Sequence, residues 1–280
     1  EKPLLVSALN KYINTIEIQN TGVEDMIQHY RGKVRDRFEM GYNLICFHLS
    51  DRISSFDRHI CDIRGKGHIL NLMNQWWMER TRHIIPNHVV HFDGNYLIGK
   101  KCRLIPLEII VRSYMTGSTS TSLWTHYKQG TRNYCGIDFP DGLEKNRPLP
   151  ELVITPTTKG EVDELISRDQ ILERQVVTEQ ELDFIYQKAM ELFRYGQSVA
   201  DERGLILVDT KYEFGYDVEG NIILIDEIHT CDSSRYWRKD TYQERVDNGQ
   251  EPQKLDKDAC RDYVKSKCDP YNDPIPEIPD

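Results

Sequence analysis

Two stretches late in the chain, Leu205–Gly215 (LILVDTKYEFG) and Asn221–Trp237 (NIILIDEIHTCDSSRYW), concentrate residues able to do chemistry. Alternate residues of a strand share a face, so Asp209, Lys211 and Glu213 project together. A two-residue Glu219-Gly220 hairpin loop would set Glu213 directly across from Asp226. Facing carboxylates repel unless a cation lies between them, and an all-oxygen site favours Mg²⁺ or Mn²⁺. The same spacing fits a solvated acidic hairpin face, and one more loop residue would send the two carboxylates to opposite faces. Asp232-Ser233-Ser234-Arg235 then joins an acceptor, two hydroxyls and a guanidinium. With Lys211, this set can hold a carboxylate or phosphate beside a metal, or it can be a turn that caps a helix.

Three further sets carry candidate contacts. In Tyr30–Asp36 (YRGKVRD), Gly32 leaves room for a close backbone approach, and Lys33 and Arg35, on either side of Val34, alternate onto one strand face where they could meet a polyphosphate. Arg112 follows the hydrophobic stretch Ile109-Ile-Val and points toward a Thr116-Gly117-Ser118 turn able to nest a small anion. Thr155-Pro-Thr-Thr-Lys159 can present Lys159 to a phosphate, and Asp51–Asp57 (DRISSFD) offers Ser54, Ser55 and Asp57 as a binding loop. Each set alone also fits an ordinary turn or solvated face. No G-x-S-x-G, H-E-x-x-H or G-x-G-x-x-G pattern occurs, so nothing signals a serine hydrolase, a zincin or a dinucleotide dehydrogenase.

The elements that must position these groups are of mixed type. Tyr30–Ser50 reads as strands turning at Gly41, Ile69–Arg82 as a helix opened by Gly65-Lys66-Gly67, and His88–Met115 as a second β region. Residues 130–160 read as loop. Thr178 and Glu181 form the capping box of a helix over Glu179–Arg203 that Gly204 ends, and its stripe of Leu182, Ile185, Ala189, Leu192, Phe193 and Val199 is core. A hairpin over Leu205–Phe214 and Asn221–Ile228 follows, then a helix over Leu255–Lys267 and a proline-rich strap, DPYNDPIPEIPD. A short helical pattern (Leu5, Leu9, Tyr12, Ile13) precedes all of these. The expected architecture is α+β in two lobes: a β-rich nucleotide-binding lobe over residues 1–115, and an α+β lobe over 116–280 carrying the metal and substrate sites.

The 280 residues carry 36 Lys+Arg against 45 Asp+Glu, a net charge of −9, which disfavours a broad nucleic-acid surface and leaves small anions as the expected partners. Seven scattered cysteines without a C-x-x-C pair form neither a disulfide framework nor a zinc ribbon. No apolar run approaches the roughly 20 residues of a membrane span. The expectation is a soluble cytoplasmic protein bound to neither membrane nor nucleic acid.

Taken in order, YRGKVRD, DRISSFD, GKGHILN, PLEIIVRSYMTGS, TPTTK, LVDTKYEFG and DEIHTCDSSRYW resemble the phosphoribosylaminoimidazole-succinocarboxamide synthase (SAICAR synthetase) family over about Tyr30–Trp237. The resemblance implies ATP-dependent condensation of 5-aminoimidazole-4-carboxylate ribonucleotide with L-aspartate, through an acyl phosphate, on a kinase-like N-terminal antiparallel β lobe and an ATP-grasp-like second lobe. Residue by residue, it implies ATP contacts from Gly32, Lys33, Val34, Arg35 and Lys159, and Mg²⁺ carboxylates at Glu213 and Asp226. It implies ribonucleotide contacts from Arg112, Ser118, Lys211, Ser234 and Arg235, and an aspartate site near Ser54, Ser55 and Asp57. Catalytic roles are expected of Lys211 and of Asp232, a candidate proton acceptor because the attacking amine must reach the site neutral. The loop over Tyr30–Asp36 is expected to close over ATP. Cys231 stands where many relatives have Pro, and many relatives continue past PEIPD into a final helix. A monomer and a homo-oligomer are both compatible with the sequence. Two rivals share the ATP lobe: a kinase-like enzyme, which needs no aspartate, and a binding module, which turns nothing over.

Overall fold

The computed structural model describes residues 28–278 apart from 42, 57, 161 and 162. The early helical pattern and Asp57 therefore lie outside the described residues.

Strands β1 (Gln28–Arg31), β2 (Arg35–Met40) and β3 (Leu44–Leu49) form an antiparallel meander, which β7 (Tyr96–Lys100) and β6 (Val89–Asp93) extend in the order β1-β2-β3-β7-β6. A separate hairpin, β4 (Arg52–Ser55) with β5 (Arg58–Asp62), leads to helix α1 (Lys66–Arg80). The turn into α1 needs glycine twice. Gly65 takes φ 83°, and a Cβ on Gly67 would lie 2.1 Å from the Leu49 carbonyl oxygen. Both oxygens of Asp51 accept from the backbone N–H groups of Gly65 and Gly67, at 3.0 Å each, and so cap the helix.

The second sheet is built on two twelve-residue strands, β8 (Arg103–Tyr114) and β13 (Leu205–Tyr216). Its order is β11-β8-β13-β14, with β11 at Pro148–Ile154 and β14 at Ile222–Ile225; β12 (Thr157–Thr158) also pairs with β8 and β15 (Ser234–Arg238) with β13. A small hairpin, β9 (Asn133–Tyr134) with β10 (Ile137–Asp138), lies off this sheet. The stretch read as loop over 130–160 thus supplies strands. Its prolines and threonines break the alternation that marks β8, yet β11 borders β8 with an irregular register between Pro148 and Val153.

Alternation along β8 explains both the core and the site. Ile105, Leu107, Ile109 and Val111 are buried in the main core, whereas Glu108, Ile110 and Arg112 face a cavity. On β13, Tyr212 and Phe214 point to the core and Asp209, Lys211 and Glu213 to the other face. Helix α4 (Glu179–Asp201) covers the core side with Leu182, Ile185, Ala189, Leu192 and Phe193, all fully buried. Its Thr178–Glu181 capping box forms as the sequence requires, and Gly204 takes φ 68° just beyond its end.

Shorter helices α2 (Leu123–Lys128), α3 (Arg168–Glu173) and α5 (Lys239–Asp247) border the second sheet. The last helix, α6 (Asp258–Lys267), packs Val264 against Ile53, Phe56 and Ile60 of the β4–β5 hairpin. The following tail is a strap, as its prolines predict: Arg58 donates to the carbonyls of Pro270 (2.9 Å) and Asp273 (2.6 Å). The two large sheets are joined where His88 N–H donates to Leu224 and Leu224 N–H to Pro86, both at 3.0 Å. The architecture is α+β with antiparallel sheets. We propose that the division between its lobes lies between β7 and β8, because β8, although it precedes residue 115, belongs wholly to the second sheet. No helix among the described residues is long and apolar enough to cross a membrane.

Candidate active site

A cavity of about 420 Å³ opens between the first-sheet turn at Lys33 and Val34, the hairpin residues Ser54–Phe56, the central strands β8 and β13, the segment Cys231–Arg235, and the start of α6. Its floor is the register of β13 on β8, which sets Asp209 opposite Arg112, Lys211 opposite Ile110, and Glu213 opposite Glu108. The carboxylate directly across from Glu213 is therefore Glu108. Lys211 Nζ resolves that repulsion, lying 2.9 Å from Glu108 Oε1 and 2.7 Å from Glu213 Oε1.

The hairpin from β13 to β14 differs from its sequence reading. Tyr216 pairs with Ile222 across a five-residue connection in which Gly220 N–H donates to Asp217, so Glu213 faces Ile225 and not Asp226. Such a shift would send Asp226 to the opposite face if the strand continued. It does not continue: β14 ends at Ile225, and Asp226 adopts φ 68°. That left-handed residue brings its carboxylate to 4.0 Å from Lys211 Nζ and 2.6 Å from Arg35 Nη1. Glu213 and Asp226 thus meet by a different route from simple strand pairing.

Around them stands an ion-pair cluster joined to the cavity through Glu108 and Lys211. Lys159, delivered by the loop after β12, binds Glu213. Arg35 also reaches Glu227 at 3.3 Å. Burial and the charge of Asp226 push the Glu213 carboxyl above its ordinary range, although Lys211 and Lys159 oppose the shift. Asp226 is held below its range: burial works against its charge, but Arg35, Lys211 and Lys159 outweigh it. Among the described residues no three His, Cys, Asp or Glu side chains are arranged to hold a metal by themselves. The two carboxylates, Glu213 and Asp226, nevertheless supply the oxygen donors that fit a hard cation keeping waters and phosphate oxygens in its remaining positions, which is how Mg²⁺ is usually bound.

At the other end, Arg112 is buried, with Nε 2.8 Å from Thr155 Oγ1 and Nη1 3.3 Å from Asp209 Oδ2. Arg235 binds Asp209 at 2.8 Å and Asp258 at 2.6 Å, so one carboxylate aligns two guanidiniums. Ser234 opens β15, with its hydroxyl 2.7 Å from Thr210 Oγ1; the Asp-Ser-Ser-Arg turn leads into a strand and not a helix. Asp232 is paired to Lys66 at 2.8 Å. Ser54 and Ser55 line the cavity, and Ser55 Oγ accepts from Arg261 Nε at 2.8 Å.

Two expected contacts are placed differently. The Ser118 hydroxyl is buried without a hydrogen bond among the described residues, and it is the neighbouring Thr119, Thr121 and Ser122 that line the cavity. Arg35 does not share a strand face with Lys33. Gly32–Val34 forms a turn in which Gly32 N–H donates to the Arg35 carbonyl at 2.9 Å, and only Lys33 and Val34 reach the cavity. Arg52 clamps that turn, donating to the carbonyls of Lys33 and Gly32 (3.2 Å each) and to Asp36 (2.6 Å). Sequence reading missed Glu108 as a partner of Lys211, and missed Asp256 and Lys257 just before the last helix and Arg261 on it. The one available signal was the Lys257/Arg261 spacing, one helical turn apart.

A family model for SAICAR synthetase matches residues 28–278. A phosphoribosylaminoimidazole-succinocarboxamide synthase of Legionella pneumophila is 50% identical over 253 residues, 89% of this chain and 81% of the relative. Among solved structures, the SAICAR synthase of Saccharomyces cerevisiae complexed with SAICAR superposes with TM-score 0.74 at 32% identity, covering 89% of this chain and 87% of the other. A SAICAR synthetase in complex with ADP gives 0.67 at 25% identity, covering 84% and 90%. By sequence over most of its length and by fold, the chain belongs to the SAICAR synthetase family, ligases of purine biosynthesis.

Proposed function

We propose that this chain condenses 5-aminoimidazole-4-carboxylate ribonucleotide with L-aspartate, cleaving ATP to ADP and phosphate. The observation that carries the reading is the charge pattern at one cavity: Lys211 at one end, tied to Glu213 and Asp226 behind the wall, and Arg112 and Arg235 aligned by Asp209 at the other. The first end suits a nucleotide triphosphate and the second an anionic acceptor.

An amine does not attack a carboxylate while it is ionised. The acceptor carboxylate oxygen first takes the γ-phosphoryl group, breaking the bond to ADP. The aspartate nitrogen then forms the C–N bond as phosphate leaves. Arg112, Arg235 and Ser234 hold the acceptor in line, and Lys211 bridges the two ends of the cavity. Lys33 and Lys159 offset charge on the transferring group. Asp232, fixed through Oδ2 by Lys66, takes the proton the amine releases. Glu213 and Asp226 would hold Mg²⁺, or Mn²⁺ in its place, and such a cation would supply charge neutralisation to the triphosphate. The Gly32–Val34 turn, which borders the cavity with Lys33 and Val34, covers the nucleotide and excludes water from the acyl phosphate.

The test is ADP release with the carboxylated ribonucleotide, with and without L-aspartate, followed alongside product absorbance. Aspartate-dependent release matched by succinocarboxamide formation is expected. Release that ignores aspartate and yields no such product identifies a kinase or an uncoupled ATPase instead.

A further inference from the structure

The last helix turns a sulfur-bearing face toward the β4–β5 hairpin. Cys260 and Val264 on α6, and Cys268 just past its end, recur every four residues and pack with Ile53, Phe56 and Ile60. Cys61 of β5, paired across from Ile53 of β4, belongs to the same cluster. Cys61 and Cys260, about 200 residues apart in sequence, are both half-buried, and their thiols share a hydrogen bond. Cys268 donates instead to the Val264 carbonyl of its own helix, at 3.6 Å.

The junction that holds the two thiols is lightly anchored. Its cluster is separate from the main core, and its polar ties are Arg261 Nε on Ser55 Oγ at 2.8 Å and Arg58 on the strap carbonyls of Pro270 and Asp273. An element held by one small cluster can open locally while the main core stays folded. Opening here moves a wall of the cavity, because Ser54–Phe56 line it from the hairpin and Asp256, Lys257 and Arg261 from the start of α6. Cys61 and Cys260 lie behind that wall, in the apolar cluster.

We propose that Cys61 and Cys260 form a redox modification site: a low-molecular-weight disulfide oxidises them to an intramolecular disulfide that clamps α6 to the hairpin and holds this wall of the cavity closed. The Cys61 thiolate attacks one sulfur of the small disulfide, and the other sulfur leaves as a thiolate that takes up the Cys61 proton. Cys260 then attacks Cys61 Sγ in the mixed disulfide, and the second small thiol leaves with the Cys260 proton. Two electrons pass from the protein to the small disulfide, which ends as two thiols. Burial holds both protein thiols above their ordinary pKa. For Cys61, the contact with Cys260 and the charge of Lys66 work against that burial and against Asp62, whereas the same contact disfavours a thiolate on Cys260, so Cys61 is the first nucleophile.

The experiment compares the reduced full chain with the chain treated with oxidised glutathione, by peptide mapping, by the rate of tryptic cleavage within α6 at Lys265, and by turnover in the ligase assay above. One bond linking Cys61 to Cys260 is expected, with cleavage slowed by about 10-fold or more. Turnover should fall by about 5-fold or more because the wall no longer opens, and dithiothreitol should reverse every change. Cys268→Ser should respond as the wild type does, whereas Cys61→Ser and Cys260→Ser should lose the response. Should either serine variant not fold, Cys61→Ala and Cys260→Ala carry the same comparison. A mixed disulfide that never resolves, or a bond to Cys268, would overturn the pairing. A Cys61–Cys260 bond that leaves cleavage or turnover within about 2-fold of the reduced enzyme would overturn its hold on the wall. Mapping and proteolysis need no catalysis, so a chain that forms the clamp yet ligates nothing would overturn the ligase reading and leave the clamp standing.

Discussion

Arg35, at the start of the second strand, meets Asp226, just past the end of the fourteenth, with Nη1 2.6 Å from Oδ1. The pair ties the first sheet to the hairpin of the second, and both side chains are mostly buried, at 23% and 14% exposure. Removing one partner strands a desolvated charge on the other. Arg35→Met should therefore cost about 3–5 kcal/mol of unfolding free energy, the range for breaking a buried pair. Neutralising the survivor as well, in Arg35→Met/Asp226→Asn, should restore a good part of that loss. Urea unfolding of the two singles and the double closes the cycle, and additive costs would mean that the pair does not couple.

Glu213 and Asp226 are proposed to hold the cation that accompanies ATP. Glu213→Gln keeps the shape of the side chain and the Lys211 contact while removing charge, and Asp226→Asn does the same beside Arg35. Each should lower turnover by about 100-fold and raise the Mg²⁺ concentration needed for half-maximal rate, since a weakly held cation forfeits part of the several kcal/mol of charge stabilisation that a bound metal supplies. Titrating Mg²⁺ at fixed ATP reads both. Variants with near wild-type turnover at limiting Mg²⁺ would show that the cation sits elsewhere.

The main features of this fold were legible where local rules and tertiary packing agree. The Thr178–Glu181 capping box and the stripe from Leu182 to Val199 specify α4 because a helix end and a buried face leave local marks. The face shared by Asp209, Lys211 and Glu213 follows from strand period alone. The hairpin register was not legible, because loop length is set by the Asp217–Asn221 hydrogen bonds and not by a residue pair visible in advance. Asp226 reaches the site through a left-handed φ that aspartate tolerates without announcing it. Arg261 and Lys257 were missed for a different reason. Charges at the start of an amphipathic helix carry no local mark of burial, and only the packing of Val264 on Ile53 and Phe56 sets the start of α6 against the cavity.

The turn that carries Lys33 depends on the absence of a side chain at Gly32. A Cβ there would lie 2.4 Å from the Arg35 carbonyl oxygen, a clash with backbone that no rotamer relieves. Gly32→Ala should displace the turn that Arg52 clamps, costing about 1–3 kcal/mol locally. The expected readout is a rise of about 10-fold in the KM for ATP with little change in the KM for aspartate, since the displaced atoms belong to the nucleotide end. Limited proteolysis gives an independent check: cleavage near Tyr30–Asp36 should be suppressed by Mg²⁺–ATP in the wild type and less so in the variant. Equal sensitivity with and without nucleotide in the wild type would remove the closing role assigned to this turn.

His229 connects the site segment to the core and makes stability depend on pH. It is fully buried at φ 53°, its Nε2 lies 2.5 Å from the Tyr212 hydroxyl, and its Nδ1 has no partner among the described residues. Trp77 packs edge-on against the ring, and a Cβ on Gly196 of α4 would lie 2.5 Å from its Cε1, so no water-sized space remains on that side. Burial lowers its pKa from 6.5 to about 3. A depressed folded-state pKa gives stability that is present above the unfolded value of 6.5 and lost as pH falls through the window down to about 3. Between pH 7.5 and 5.0 this single group should remove about 2 kcal/mol. His229→Gln keeps a side-chain acceptor for Tyr212 but cannot charge, so it should be less stable than the wild type at pH 7.5 and lose about 2 kcal/mol less on acidification to pH 5.0. Urea midpoints of both proteins at the two pH values measure the difference, and equal losses would place the acid sensitivity in other groups.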